Sequence, residues 1–215
     1  MPESNLQLKQ VFYSLITMSL LLVHSNVFYT SIELIRMSEN VEWDKAVDFK
    51  KFLNGARENV ELMKARYQGF QIIDEDEELL NSIQNNIRIL VIGTDRCDDT
   101  AGNLPILAKM SECSPKIELR FLDSQNNTEY HQKFKVNGKR KTPVVLFLSP
   151  KLEELCRWVE RPNAAYKMIN EGIDPSLDGR KKGLKKLYSD PEIQQQSMNE
   201  LMDLLLRADF ILGRK

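Results

Sequence analysis

The residues best suited to covalent chemistry in this chain are its three cysteines, Cys97, Cys113 and Cys156. Cys97 stands in Gly93-Thr94-Asp95-Arg96-Cys97-Asp98-Asp99-Thr100, after an apolar run and at the start of a helical pattern. A helix start presents unpaired N–H groups and the positive end of the dipole, which favour a sulfur anion. Arg96 adds a cation beside it, whereas Asp98 and Asp99 act the other way. Thr100 lies one turn along, where its hydroxyl is expected to donate to the sulfur. A thiolate in that setting can attack a disulfide and hold a mixed disulfide. Cys113 and Cys156 read instead as small buried hydrophobes.

Three cysteines at wide spacing do not spell a disulfide framework. No CxxC is present, and His24 and His131 are far from any cysteine in sequence, so no zinc site, and no other metal or cofactor, is implied. The cysteine usage fits a reducing, cytoplasmic compartment.

The elements that must position Cys97 follow from periodicity. Ile87-Arg-Ile-Leu-Val-Ile92 and Val144-Val-Leu-Phe-Leu148 are apolar runs too short for helices, typical of strands buried on both faces. Ile117 to Leu122 alternates, and Leu152 to Val159 returns after the Ser149-Pro150-Lys151 turn. Leu104, Ile106, Leu107 and Met110 make a helix after Cys97, with Pro105 inside it, where a kink is expected. Apolar residues from Trp43 to Tyr67 recur at helical spacing, broken near Asn54-Gly55. Asp74-x-x-Glu77 has the form of a capping box for a short helix ending near Asn85-Asn86. Thr128 to Phe134 reads as helical. Pro143 opens an apolar strand, a position that tolerates proline and suits the cis residue of a tight corner. Asp190-Pro191 caps a last helix with Ile193, Met198, Leu201 and Leu205 on one face. The order implies a mixed α/β sheet of about four strands with helices on both faces.

Charge is balanced, with 30 basic and 31 acidic residues, so nothing attracts a nucleic acid over a whole face. The basic run Arg180 to Lys186 reads as a solvated loop entering a helix. Between Lys9 and Glu33 there is no formal charge, and three readings stay open for this stretch: a dispensable extension preceding a fresh start at Met37, a targeting or membrane segment, or an extra packed helix. Membrane contact, or export, is expected only if residues 10–32 are a real anchor or signal.

Strand, loop, Cys97, helix, Pro105 eight residues on, Thr142-Pro143 before the third strand and a closing hairpin together resemble the thioredoxin superfamily. The likeness covers about residues 43–207 and is closer to a monothiol thioredoxin-like family with CxxT in place of CxxC. Arg96 stands where thioredoxins have tryptophan, Thr100 where they have the second cysteine, and Val91 about where they keep a buried acid. The resemblance implies a cis Thr142-Pro143 bond, with Arg96, Thr142 and Pro143 holding the substrate and Cys97 and Thr100 at the reacting centre. It implies a protein or low-molecular-weight disulfide as substrate and an external thiol to resolve the mixed disulfide. The alternative is a redox-inactive module binding peptides at the same surface. The expected organisation is an N-terminal extension over 1–40, helices over 41–86, the thioredoxin-like core over 87–172, and a connector with the C-terminal helix over 173–215.

Overall fold

The computed structural model describes residues 42–172 and 176–214, so the three readings of the apolar N-terminal stretch lie outside the described residues. Strands β1 (Ile87–Gly93), β2 (Ile117–Asp123), β3 (Val144–Leu148) and β4 (Glu154–Val159) form one four-stranded sheet in the order β2-β1-β3-β4. β1 and β2 are parallel, from Ile87 opposite Ile117 to Gly93 opposite Asp123, and helix α4 (Asp98–Cys113) makes the crossover between them. β3 runs antiparallel to β1, and β4 antiparallel to β3. This is the mixed sheet that the two apolar runs and the Pro150 turn imply.

β1 and β3 occupy the two central places and are covered on both faces, which is why they read as unbroken apolar runs. Their side chains alternate between two cores. Ile89, Val91, Val145 and Phe147 meet Leu104 and Leu107 of α4 on one face. Leu90, Ile92, Val144 and Leu146 lie under Trp43, Ala46 and Phe134 on the other. A one-residue slip of either strand would exchange the two sets, so burial fixes the register.

Around the sheet lie α1 (Phe49–Gly55), α2 (Val60–Gly69), α3 (Asp74–Asn81), α5 (Thr128–Gln132), α6 (Asn163–Gly172), α7 (Leu177–Leu187) and α8 (Pro191–Gly213). In α8, Asp190 Oδ1 accepts from Glu192 N at 2.9 Å, Pro191 takes the first turn, and Met198, Leu201 and Leu205 are buried against the body. α4 runs through Pro105 as one helix of 16 residues. Among the described residues no helix is long and apolar enough to cross a membrane.

Four local expectations are corrected. Val47, inside the expected N-terminal helical stretch, is a β-bridge: its N–H and carbonyl pair with Phe121 at 2.8 and 2.6 Å, satisfying the open edge of β2. Asp74 is the first residue of α3 rather than its cap, and Ile73 flanks the helix with no side-chain cap. α3 also stops at Asn81, and the N–H of Asn85 is taken by Asp209 Oδ1 at 2.8 Å instead of continuing the helix. The basic run belongs to α7, not to a loop; Ser176 Oγ starts that helix by accepting from Gly179 N at 3.0 Å.

Candidate active site

Cys97 is the N-cap residue of α4, extended at φ −96° and ψ 122°, with its carbonyl accepting from Ala101 N at 2.9 Å. Its thiol is partly exposed and donates to the carbonyl of Thr142 at 3.4 Å. The Thr142–Pro143 peptide bond is cis. The sheet brings these two segments together, since the end of β1 and the start of β3 are antiparallel neighbours, with Ile92 opposite Val144.

Each segment is held by a partner remote in sequence. The Asp95 carboxylate accepts from Arg57 N at 2.7 Å and Glu58 N at 3.1 Å, and Asn59 Nδ2 donates to Asp95 O at 2.9 Å. Burial pushes the Asp95 carboxyl up, but these N–H donors, Thr94 and Arg96 together hold it below its ordinary value. The Cys97 loop is thus stapled to the turn between α1 and α2. Arg96 is engaged by Glu58, Nε to Oε1 at 3.2 Å, so its exposed cation is directed at that carboxylate rather than reserved for the sulfur. On the other side, buried His131 meets the carbonyl of Lys141 through Nε2 at 2.8 Å. A carbonyl only accepts, so Nε2 carries the proton. Burial lowers the pKa of His131, against the raising effect of the hydrogen bond to Lys141, and Arg140 adds to the lowering. An open cleft of about 610 Å³, lined in part by Thr94, Ser124, Thr128, His131, Arg140 and Thr142, adjoins this side of the site.

A family model described as thioredoxin matches residues 46–175, more than half of the chain. The chain belongs to this thioredoxin family. A crystal structure of a protein of unknown function from Pseudomonas aeruginosa is similar at a TM-score of 0.60 and 22% identity, covering 77% of this chain and 95% of that one. A crystal structure of an HIV epitope scaffold matches at a TM-score of 0.60 and 20% identity, covering 77% of this chain and 96% of its own. These two likenesses show the fold. Among curated proteins nothing matches.

Within this thioredoxin fold, two expectations at the start of α4 are corrected. Thr100 makes no hydrogen bond to Cys97. It is fully buried at the end of β1, its Oγ1 has no partner, and a Cβ on Gly93 would stand 3.0 Å from both its Oγ1 and Cγ2. Such an unpaired hydroxyl costs about 1–3 kcal/mol. Asp98 and Asp99, grouped in the sequence as two carboxylates opposing a thiolate, differ in burial, Asp98 being partly exposed and Asp99 buried. Asp99 is turned inward and 4% exposed, accepting from Arg161 Nη2 at 2.6 Å and from the Tyr188 hydroxyl at 2.6 Å. Burial raises its pKa to about 6, against the pull of Arg161 and Tyr188.

Arg161 also donates to Glu160 Oε1 at 2.8 Å, and that oxygen pairs with Lys141 Nζ at 3.0 Å. Burial opposes the ionised form of Glu160, but Tyr166, Lys141 and Arg161 prevail and hold its pKa below the ordinary value. The N–H of Glu160 donates to Pro143 O at 2.8 Å. A chain of charges therefore ties the first turn of α4 to the Lys141-Thr142-Pro143 segment. Sequence reasoning missed Asp95, Glu160, Arg161 and Tyr188, and took His131 only as an isolated residue. The partners of each lie far off in the chain, and only the Glu160-Arg161 doublet closing the last strand was a visible signal.

Contrary to the expectation of burial, Cys113 and Cys156 are partly exposed as Cys97 is, and they differ from it in their partners and in the direction of their pKa shifts. Cys113 donates to Lys109 O at 3.4 Å, and burial, with Glu77 and Glu112, pushes its pKa up. Cys156 donates to Leu204 O at 3.3 Å, and burial pushes it up to about 11. Among the described residues no group of three His, Cys, Asp or Glu side chains is placed to hold a metal ion.

Proposed function

We propose that this thioredoxin-family protein exchanges thiols and disulfides through Cys97 alone. The Cys97 thiolate attacks one sulfur of a protein or low-molecular-weight disulfide, forming a mixed disulfide and releasing the other half as a thiolate, which takes up a proton. An external thiol, as its thiolate, then attacks the substrate-derived sulfur's partner at Cys97 or that sulfur itself. Attack at the substrate sulfur frees Cys97 and leaves a disulfide between substrate and external thiol, whereas attack at the Cys97 sulfur frees the substrate thiol and leaves that disulfide on Cys97. In either case a second equivalent of the thiol attacks the first equivalent's sulfur, releases the remaining thiolate to take up a proton, and forms the disulfide of the two external thiols. Thr142 and Pro143 hold the substrate backbone beside the sulfur, and Arg96 lies on the approach. Three free cysteines support a reducing, cytoplasmic setting.

The observation that carries this reading is the partly exposed Cys97 sulfur at a helix start, 3.4 Å from the Thr142 carbonyl. Competitive alkylation of the folded protein at pH 7.5, resolved by mass spectrometry, tests it. Cys97 is expected to label at least about tenfold faster than Cys156. Exchange with a small disulfide is then expected to stall at Cys97 until a monothiol is added, and Thr100→Cys to lessen that dependence. Equal labelling of all three cysteines sinks the reading. It would leave the second one, a peptide-binding module on the same surface, which is favoured by Thr100 replacing a resolving thiol while making no bond to the sulfur.

A further inference from the structure

Arg66 projects from α2 with 6% of its surface exposed, and it joins no ion pair among the described residues. Among the described residues its side chain makes one hydrogen bond, from Nη2 to Ser189 Oγ at 3.4 Å, and that oxygen belongs to a neutral hydroxyl already donating to Lys185 O at 3.0 Å. Arg161 shows how the same molecule treats a guanidinium buried nearly as deeply, since it gives that one two carboxylates, Asp99 and Glu160. Around Arg66 burial lowers the pKa, and the opposing influence is that of Tyr188, not of a carboxylate. A buried cation without a counter-charge is costly, and proteins normally pair it or let it bind an anion.

Arg66 also lines a cleft of about 450 Å³ between α2 and the start of α8, within the size range of small-molecule sites, about 300–1,000 Å³. Phe70 and Pro191 supply apolar wall, and Gln71, Ser189 and Gln194 supply polar groups. The cleft lies at the N-terminal end of α8, a helix of 23 residues, where the dipole favours negative charge. Asp190 occupies the cap of that helix and offsets part of the dipole, its carboxylate being committed to Glu192 N. The full charge of Arg66 is then the main attraction.

We infer that this cleft binds a small oxyanion, the carboxylate or phosphate group of a small molecule, with Arg66 as its counter-charge. A guanidinium fork suits both groups, because each offers two oxygens to parallel N–H donors. The site is separate from Cys97 and does not rest on the exchange reading.

The test is a titration of the ¹⁵N-labelled full chain with sodium phosphate and, separately, with sodium acetate, at constant ionic strength. Saturable shifts are expected at the amides of 66, 69–71, 189, 190 and 192–195 for at least one anion. Response to phosphate alone marks a phosphate-bearing ligand, response to acetate alone a carboxylate, and response to both a general oxyanion site. Arg66→Met is expected to weaken binding at least tenfold. If that variant does not fold, Arg66→Lys, which keeps the charge and loses the fork, is expected to weaken it several-fold. Absence of saturation with both anions, shifts scattered over the surface, or unchanged affinity in the folded variant overturns the inference.

Discussion

The two sides of the first turn of α4 differ more than their sequence suggests. On one side Cys97 faces the Thr142 carbonyl, partly open to solvent. On the other, two residues along, Asp99 is sealed between Arg161 and Tyr188. A thiol needs only a helix start and access to do chemistry, while a buried carboxylate needs its own counter-charges before the fold can tolerate it. The ionic chain through Arg161, Glu160 and Lys141 meets that need and, in doing so, fixes the segment opposite Cys97. One side of the turn stays open to solvent while the other is held.

The strongest way to break this division is to remove the cation that serves both carboxylates. Arg161→Met leaves Asp99 and Glu160 without their shared partner, with side-chain exposures of only 6% and 12%. Loss of one member of a buried ion pair costs about 3–5 kcal/mol. Urea unfolding at pH 7 is expected to show a drop of that order, and a loss below about 1 kcal/mol would mean that the chain of charges contributes little to holding the turn.

A smaller effect should appear in the pH dependence. Asp99 is raised from 3.8 to about 6, so the folded state binds its proton more tightly than the unfolded state. Stability from this group is therefore greatest below pH 4 and declines as pH rises toward 6, by up to about 3 kcal/mol. Glu160, held below its ordinary value, has the opposite sign: its contribution is present above the unfolded pKa and is lost as pH falls through the folded one. Unfolding curves of wild type and Asp99→Asn between pH 4 and 6.5 separate the two. The wild type is expected to lose stability relative to the variant across that window, and a constant difference would refute the assignment.

How much of this was legible depends on whether the cause was local. β1 and β3 could be read because burial on both faces leaves an apolar run, and α8 because Asp190-Pro191 and its one-sided leucines are local signals. Cys97 could be placed for the same reason, between a strand and a helix. Val47 could not, since a single rung opposite Phe121 leaves no periodicity. α7 was obscured by Gly179 and Gly183, poor helix formers, and is started by a cap at Ser176. The clamp from Asp95 to Arg57 and the pair from Asp99 to Arg161 span the chain, and nothing beside either aspartate announces its partner. Asp98-Asp99 looked like one electrostatic unit because sequence shows adjacency and not direction.

That last point gives the smallest and sharpest test. A carboxylate in the first turn of a helix interacts with the local dipole and with nearby charge by about 0.3–1 kcal/mol. Asp98→Asn should therefore speed alkylation of Cys97 by about twofold to fivefold at low ionic strength, with the gain shrinking as salt is added. It should leave the Arg161 network in place. Asp99→Asn removes a charge already matched by Arg161, so its effect on the alkylation rate should be smaller, and its main signature should be the altered pH dependence of unfolding. The measurement is alkylation of Cys97 in the two variants side by side. Should Asp99→Asn speed the reaction as much as Asp98→Asn does, the two carboxylates act on the sulfur together, and the division of the turn into a reactive and a held side fails.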